Sequence, residues 1–155
     1  MNSQLIDRRR VVLAGGGAAL LVALLGTRAA LAEARDPAAE AALSKILGGA
    51  KPVEGKLVLD MAEIAENGNT VPFSIAVESP MTDTDYVKAI HMVATGNPSP
   101  PGGTFRFTPA SGKAAVSSRM RLARTQEVIA VAELSNGSFL MATRTVKVTI
   151  GGCGG

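Results

Sequence analysis

The chain has 155 residues, of which 46% are hydrophobic and 3% aromatic, and its formal net charge is +3. That charge belongs to the N-terminus: residues 1–32 hold four of the 16 Lys and Arg residues and one of the 13 Asp and Glu residues, so the remainder carries 12 of each. A neutral domain with one Tyr, four Phe and no Trp lacks the basic surface and the stacking surface of a nucleic-acid-binding protein. We therefore expect no nucleic-acid partner.

The first 32 residues have the pattern of an export signal. Three arginines at residues 8–10 precede the apolar run of residues 11–25, and residues 30–32 (Ala-Leu-Ala) have the small side chains of a cleavage site. The pair Arg8 and Arg9 is typical of twin-arginine (Tat) export, with Sec export as the alternative. The apolar run is shorter than the ~20 residues of a membrane-spanning helix. We predict a signal peptide over residues 1–32, a periplasmic location and no membrane attachment after cleavage.

One short helix and a β-domain are predicted over residues 33–150. Asp36-Pro37 has the pattern of a helix start, the side chains of Leu43, Ile46 and Leu47 share one helical face, and Gly48-Gly49 ends the segment. From Glu54 onward the apolar period changes to strand-like alternation, interrupted by regularly spaced turn residues. Seven strands are predicted, over residues 56–60, 70–78, 86–94, 104–108, 114–124, 127–134 and 138–150.

This pattern favours an all-β fold, an immunoglobulin-like antiparallel β-sandwich. Within it, Pro72 indicates an edge strand or a strand start, because proline cannot donate a ladder hydrogen bond. Asn136-Gly137 predicts a β-hairpin with a type I′ turn, since both residue types tolerate positive φ. The last strand then leads directly into the C-terminal segment.

The only cysteine, Cys153, lies in the C-terminal sequence Gly151-Gly152-Cys153-Gly154-Gly155. Glycine has no side chain to pack and a wide range of backbone conformations, so we expect residues 151–155 to form a flexible arm with an exposed thiol. Four extended residues reach at most ~14 Å, which suits entry into a narrow channel. An exported chain with one cysteine cannot form an internal disulfide. The thiol therefore stays free, pairs with another chain or carries a substrate.

Candidate metal and catalytic residues are few. One histidine and one cysteine, far apart in the sequence, do not suffice for a protein-only zinc site, so we predict no metal and no cofactor. We expect His91, within an apolar run, to be a hydrogen-bonded strand histidine. A Cys–His nucleophilic pair would need a fixed geometry that a flexible arm does not provide. We therefore predict that the chain is not an enzyme by itself.

Other charged residues allow two interpretations. Arg119, Arg121 and Arg124 form a basic stripe, which is either a solvated sheet face or a surface that docks an anionic partner or a sulfonate group. The acid pairs Asp83 and Asp85, and Glu63 and Glu66, lie near predicted turns, where solvated carboxylates are common. We expect these carboxylates to be solvated rather than catalytic.

Several segments together closely resemble the SoxY family, the sulfur-carrying subunits of bacterial thiosulfate oxidation. They are the twin-arginine leader and residues 63–72 (EIAENGNTVP), 79–82 (SPMT), 121–128 (RLARTQEV) and 146–155 (VKVTIGGCGG). The terminal motif is highly specific in that position, whereas the strand segments alone are only suggestive. One departure is Phe139-Leu140, where many relatives are expected to have a tryptophan.

The resemblance implies an immunoglobulin-like fold, a periplasmic heterodimer with SoxZ, and Cys153 as the attachment point for sulfur intermediates. In that family the cytochrome SoxXA joins thiosulfate oxidatively to the cysteine, and the hydrolase SoxB releases sulfate. Where SoxCD is present, it oxidises the remaining outer sulfur. The haem, manganese and molybdenum belong to these partners, so the carrier needs no cofactor beyond its covalent sulfur adduct.

Two other classes of function are compatible with the same residues. A structural module would use Cys153 only for a disulfide between two chains, which includes a disulfide-linked dimer of carriers. An enzyme would turn over substrate without partner proteins. The tail taken by itself is also compatible with a disordered end or with an added labelling tag.

Overall fold

The computed structural model describes residues 35–152, which form one α-helix, a short 3-10 turn and eight β-strands. The leader, with Arg8 and Arg9, and the end of the arm, with Cys153, Gly154 and Gly155, lie outside the described residues. The elements are α1 (Pro37–Leu47), β1 (Leu57–Met61), β2 (Ile64–Asn67), β3 (Val71–Val77), β4 (Val87–Ala94), β5 (Pro101–Arg106), the 3-10 turn Pro109–Ser111, β6 (Ala114–Met120), β7 (Gln126–Leu134) and β8 (Phe139–Ile150).

The strands form two sheets, as predicted for a β-sandwich. The first contains three antiparallel strands in the order β1-β3-β6, and the second contains five strands in the order β2-β8-β7-β4-β5. Two sheets with a single short N-terminal helix confirm the predicted all-β class, and the arrangement is consistent with the immunoglobulin-like type. One pair differs from the expected antiparallel pattern, because β2 runs parallel to β8.

The core lies between the sheets and follows the alternation of each strand. In β3, for example, Val71, Phe73, Ile75 and Val77 are buried, and Pro72 and Ala76 between them are exposed. Such alternation buries one face of a strand and leaves the other in contact with solvent. The opposite sheet contributes buried residues from its inner face: Val87, Ile90, Met92, Ala94, Val128, Ala130, Ala132, Leu140 and Val146.

Helix α1 covers part of the outer face of the five-stranded sheet. The Asp36 carboxylate accepts a hydrogen bond from the Ala38 amide at 2.9 Å, Pro37 occupies the first turn, and the helix ends at Gly48 with φ +57°. Leu43 and Ala39 pack against an apolar patch on β4 and β7: Val93, Ile129 and Val131. The predicted helix and its apolar face are confirmed. Within residues 35–152, no helix is both long and apolar enough to cross a bilayer.

One strand was not predicted, and one bound of each of two others differs from the sequence prediction by three or more residues. Strand β2 was not predicted, because only Ala65 of its four residues is buried and no alternation is visible. Strand β5 begins at Pro101, inside the predicted loop; its position at the sheet edge leaves nearly every residue exposed and tolerates a proline. Strand β6 ends at Met120 rather than at residue 124, because the next residues bond to other segments.

The β7–β8 hairpin is present, although its turn is not type I′. The Leu134 amide donates to the Ser138 carbonyl at 2.9 Å, and the Asn136 side chain accepts from the Ser138 amide at 2.9 Å. A type I′ turn needs positive φ at both central residues. Here Gly137 has φ +80°, whereas Asn136 does not have a positive φ.

Pro72 was predicted to lie on an edge strand or at a strand start, and the second alternative is confirmed. It lies near the start of the central strand β3, at a position that pairs only with β6.

Candidate functional site at the base of the cysteine arm

Strand β8 leads directly into Gly151 and Gly152, which we call the arm base. The end of this strand is held by its parallel neighbour β2, in which Asn67 lies opposite Ile150. The Gly68 amide, just beyond β2, donates to the Ile150 carbonyl at 2.7 Å. The strand is therefore paired up to its last residue, and the arm base starts from a fixed position.

The arm base is itself bonded to the body of the domain. The Gly152 amide donates to the Leu122 carbonyl at 2.9 Å, and the Leu122 amide donates to the Gly68 carbonyl at 2.8 Å. Gly152 is buried, as is the Leu122 side chain. Three distant segments of the chain thus meet through backbone groups alone, at the residue before Cys153.

Close backbone approach explains why these positions are glycines. A Cβ atom on Gly68 would lie 2.2 Å from the Leu122 oxygen, one on Gly151 would lie 2.2 Å from the Ala123 oxygen, and one on Gly152 would lie 2.7 Å from the Gly68 oxygen. We predicted Gly151 and Gly152 as flexible glycines of the arm, and that prediction did not anticipate the bond and burial of Gly152. Flexibility of the arm as a whole stays a prediction.

The loop of residues 121–125, between β6 and β7, receives the arm base. Asn97 bonds on both sides of Leu122: its side-chain amide donates to the Arg121 carbonyl at 2.9 Å, and its side-chain oxygen accepts from the Ala123 amide at 2.9 Å. The Gln126 side-chain amide donates to the Arg124 carbonyl at 3.0 Å and to the Asn97 oxygen at 2.9 Å. Both side chains are buried, so the 121–125 loop is anchored from inside the domain.

The predicted basic stripe is divided between two elements. Arg119 belongs to β6, whereas Arg121 and Arg124 lie in the 121–125 loop because the strand ends at Met120. All three side chains are exposed, and no carboxylate of residues 35–152 lies within 4.0 Å of their charged groups. Arg121 therefore directly precedes Leu122, whose carbonyl holds the arm base, and Arg124 lies two residues after it. Their role in docking an anion stays a prediction.

His91 is half-buried on β4, away from the arm base in the topology of the sheet. Its Nδ1 atom lies 3.0 Å from the Thr104 hydroxyl on β5, and its neighbour on β7 is Val131, at the middle of that strand. Burial lowers the pKa of His91 below 6.5, with Arg106 acting in the same direction and Glu133 opposing it. This environment matches the predicted hydrogen-bonded strand histidine.

The candidate acid pairs are exposed. Asp83 and Asp85 lie in the turn before β4, where the Asp85 carbonyl accepts from the Thr82 amide at 2.9 Å. Glu63 precedes β2 and Glu66 lies within it, and both side chains reach solvent. Within residues 35–152, no three His, Asp or Glu side chains are grouped as metal ligands.

The sequence pattern predicts the arm but not the residues that hold it. Asn67 and Gly68, whose residue types are typical of turns, lie between the predicted strands 56–60 and 70–78, and the Asn69 amide donates to the Asn67 side chain at 2.9 Å. Nothing in that turn signal indicates a contact with Leu122 or Gly152. Asn97 lies between the predicted strands 86–94 and 104–108, and Gln126 lies in the segment 121–128 that resembles the SoxY family, so neither is predicted to hold the arm. The strand alternation places the polar residue Gln126 at a core-facing position. That placement is the sequence feature that could have indicated a buried hydrogen-bonding role.

Comparison with known proteins gives one family and one fold. The model of the family "Sulfur oxidation protein SoxY" matches residues 43–153. The structure of the sulfur carrier protein SoxY from Chlorobium limicola f thiosulfatophilum is 32% identical, with a TM-score of 0.60, covering 72% of this chain and 96% of that chain. Comparison with curated protein sequences gave no match.

More distant structures share the fold alone. A superoxide reductase (neelaredoxin) from Ignicoccus hospitalis is 14% identical, with a TM-score of 0.54, covering 61% of this chain and 80% of that chain. A putative superoxide reductase from Thermotoga maritima is 16% identical, with a TM-score of 0.53, covering 63% and 87%. Identity at this level carries no conclusion about activity.

Proposed function

The chain belongs to the SoxY family of sulfur oxidation proteins, and we propose that it carries thiosulfate-derived sulfur covalently on Cys153 and presents it to partner enzymes. One observation carries this proposal: the family match runs through residue 153, so it includes the only cysteine of the chain. The buried, hydrogen-bonded Gly152 supports it, because Cys153 follows immediately after this fixed point on the domain.

The proposed cycle begins with an oxidative coupling. The Cys153 thiolate and thiosulfate form a sulfur–sulfur bond, giving Cys–S–S–SO₃⁻, and the two electrons pass to a SoxXA-type cytochrome. Water then cleaves the bond to the sulfonate group in a SoxB-type hydrolase, which releases sulfate and leaves a persulfide on the carrier. In hosts that have a SoxCD-type dehydrogenase, that enzyme takes electrons from the outer sulfur and oxidises it to a sulfonate with oxygen atoms from water. A second hydrolysis then releases sulfate and restores the Cys153 thiol.

Activation of the thiol is assigned to the partner enzymes. An ordinary cysteine has a pKa of about 8.5, so only a few per cent is thiolate at neutral pH. A pocket that supplies positive charge or a base shifts that balance when the arm enters it. The carrier contributes the sulfur atom and its placement, and the haem, manganese and molybdenum of the cycle belong to the partners.

The proposal places the mature chain in the periplasm, in a heterodimer with SoxZ. The support for export is the leader, in which Arg8 and Arg9 precede an apolar run and an Ala-Leu-Ala sequence. The support for the partner is family membership.

The decisive experiment replaces the sulfur atom. In a system reconstituted with SoxZ and the partner enzymes, we expect Cys153→Ser to fold and to bind the partner subunit but to produce no sulfate from thiosulfate. Ser138→Cys in the Cys153→Ser background is a matched control, because it restores one exposed thiol at a hairpin and not on the arm. Sulfate production by either variant at the wild-type rate would contradict the proposal.

Intact-mass spectrometry of the protein from thiosulfate-grown cells provides a second test. We expect masses that correspond to sulfane or sulfonate adducts and that disappear with reductant. A reducible dimer with no adduct would instead indicate a cross-linking module.

A further inference from the structure

We propose that Asn97 and Gln126 are positioning residues, whose buried side-chain amides set where the cysteine arm leaves the domain. The inference rests on the proposed function, since it concerns how Cys153 is presented, but its first readout does not depend on sulfur chemistry. The arm base is held by a backbone carbonyl of the 121–125 loop, and that loop is held by these two side chains.

Asn97 forms hydrogen bonds on both sides of Leu122, the residue whose carbonyl accepts the bond from the arm base. Its side chain bonds the Arg121 carbonyl and the Ala123 amide, each at 2.9 Å, and these two groups belong to the residues on either side of Leu122. These two bonds restrict the position and the orientation of the peptide group that contains the Leu122 carbonyl and the Ala123 amide. The Leu122 carbonyl therefore points toward the Gly152 amide because of a side chain from another loop.

Gln126 completes the network and connects it to β7. Besides its bonds to Arg124 and Asn97, its side-chain oxygen accepts from the Gly96 amide at 2.7 Å. Asn97 and Gln126 are 8% and 7% exposed, and within residues 35–152 no buried side-chain nitrogen or oxygen lacks a partner. A fully satisfied buried polar network costs more to disturb than a surface contact and favours a single arrangement.

Placement matters for a carrier, because the reacting sulfur must reach an active site owned by another protein. A displacement of about 1 Å can reduce the rate of a positioned reaction ~100-fold. The Gly152 amide is the last bonded group of the described chain before Cys153. A change in the 121–125 loop therefore changes the point from which the arm, with Cys153 as its next residue, leaves the domain.

The test uses the full mature chain with its proposed partner subunit, and the variants Asn97→Ala and Asn97→Asp. Asn97→Ala removes all the hydrogen bonds of this side chain. Asn97→Asp keeps an oxygen that accepts from Ala123 and Gln126, but when ionised it cannot donate to the Arg121 carbonyl. Ser135→Ala is the matched control. Ser135 lies just after the opposite end of β7, and its hydroxyl likewise bonds two backbone groups, the Tyr86 amide and the Thr84 carbonyl, each at 3.1 Å.

The first readout is amide hydrogen exchange of Gly152 and Leu122 by NMR. We expect exchange at least tenfold faster in Asn97→Ala, an intermediate increase in Asn97→Asp, and less than a twofold change in Ser135→Ala. Unchanged Gly152 exchange in both Asn97 variants would overturn the proposal. Equal acceleration in Ser135→Ala would also overturn it, because it would indicate general destabilisation.

The second readout separates presentation of the thiol from its chemistry. We expect the rate of reaction of Cys153 with the small disulfide 5,5′-dithiobis(2-nitrobenzoic acid) to stay within twofold of wild type in Asn97→Ala. With the sulfur hydrolase, kcat/KM for the loaded carrier should fall about tenfold. Wild-type kcat/KM together with faster Gly152 exchange would refute the positioning role. Sulfate production by Cys153→Ser would refute the proposed function instead.

Discussion

Two glycines of the arm base and the neighbouring Gly68 act through their lack of a side chain. None of Gly68, Gly151 and Gly152 has a positive φ, so backbone conformation does not require glycine at these positions. The requirement comes from carbonyl oxygens that occupy the space of a Cβ atom, at 2.2 Å for Gly68 and for Gly151. Real Cβ contacts of that length do not occur, so a methyl group must displace backbone.

We therefore expect Gly68→Ala to lower the free energy of unfolding by about 1–3 kcal/mol, the usual cost of forcing extra volume into a packed site. Displacement of the Leu122 carbonyl should also weaken its hydrogen bond to the Gly152 amide, so that this amide hydrogen exchanges faster. Urea unfolding followed by circular dichroism measures the first effect. Gly154→Ala adds the same methyl group beyond the arm base and should leave the free energy of unfolding unchanged. A Gly68→Ala variant as stable as wild type would contradict the close approach.

Among the elements, helix α1 shows how far sequence patterns suffice. Its start at Asp36-Pro37, its apolar face and its end at Gly48 were all predicted, because each depends on local residues. Strand β2 was not, since its pairing with β8 is decided by a segment some 80 positions away and only Ala65 marks it as buried. The bonds among Gly68, Leu122 and Gly152 have no side-chain signature at all, so the geometry of the arm base could not be predicted from the sequence.

The helix should contribute to stability mainly through Leu43, which is 5% exposed and packs on Val93, Ile129 and Val131. We expect Leu43→Ala to lower the free energy of unfolding by about 2–5 kcal/mol, since truncation leaves a cavity in this outer patch. Lys45→Ala, at an exposed position of the same helix, should change it by less than ~0.5 kcal/mol. Equal effects in urea unfolding would mean that the helix is not packed on the sheet.

At the scale of the whole molecule, His91 makes stability depend on pH. Its pKa in the folded chain is lowered, chiefly by burial, below the value of 6.5 taken for an unperturbed histidine. Between these two values the unfolded chain binds the proton and the folded chain does not, so stability falls as pH decreases below about 6.5 and levels off below the folded pKa.

We expect the thermal midpoint of wild type to decrease between pH 7.5 and pH 5 by more than that of His91→Gln, which retains a polar partner for Thr104 but does not titrate. Differential scanning calorimetry at both pH values measures this difference, with the carboxylates common to both proteins cancelling. Parallel pH dependence in the two proteins would show that the histidine ionises equally well in the folded and unfolded states.

The bond between Gly152 and Leu122 also limits how deep a partner's catalytic centre can lie. While that bond holds, Cys153 is the first residue beyond the held Gly152, and its Cα can lie no more than ~3.8 Å from the Gly152 Cα. An enzyme with a shallow site can therefore be served by the carrier as it stands. For an enzyme whose active site lies deeper, the hydrogen bond of the Gly152 amide must first break, which lengthens the free part of the arm. The depth of each active site would therefore decide whether this bond stays intact during docking.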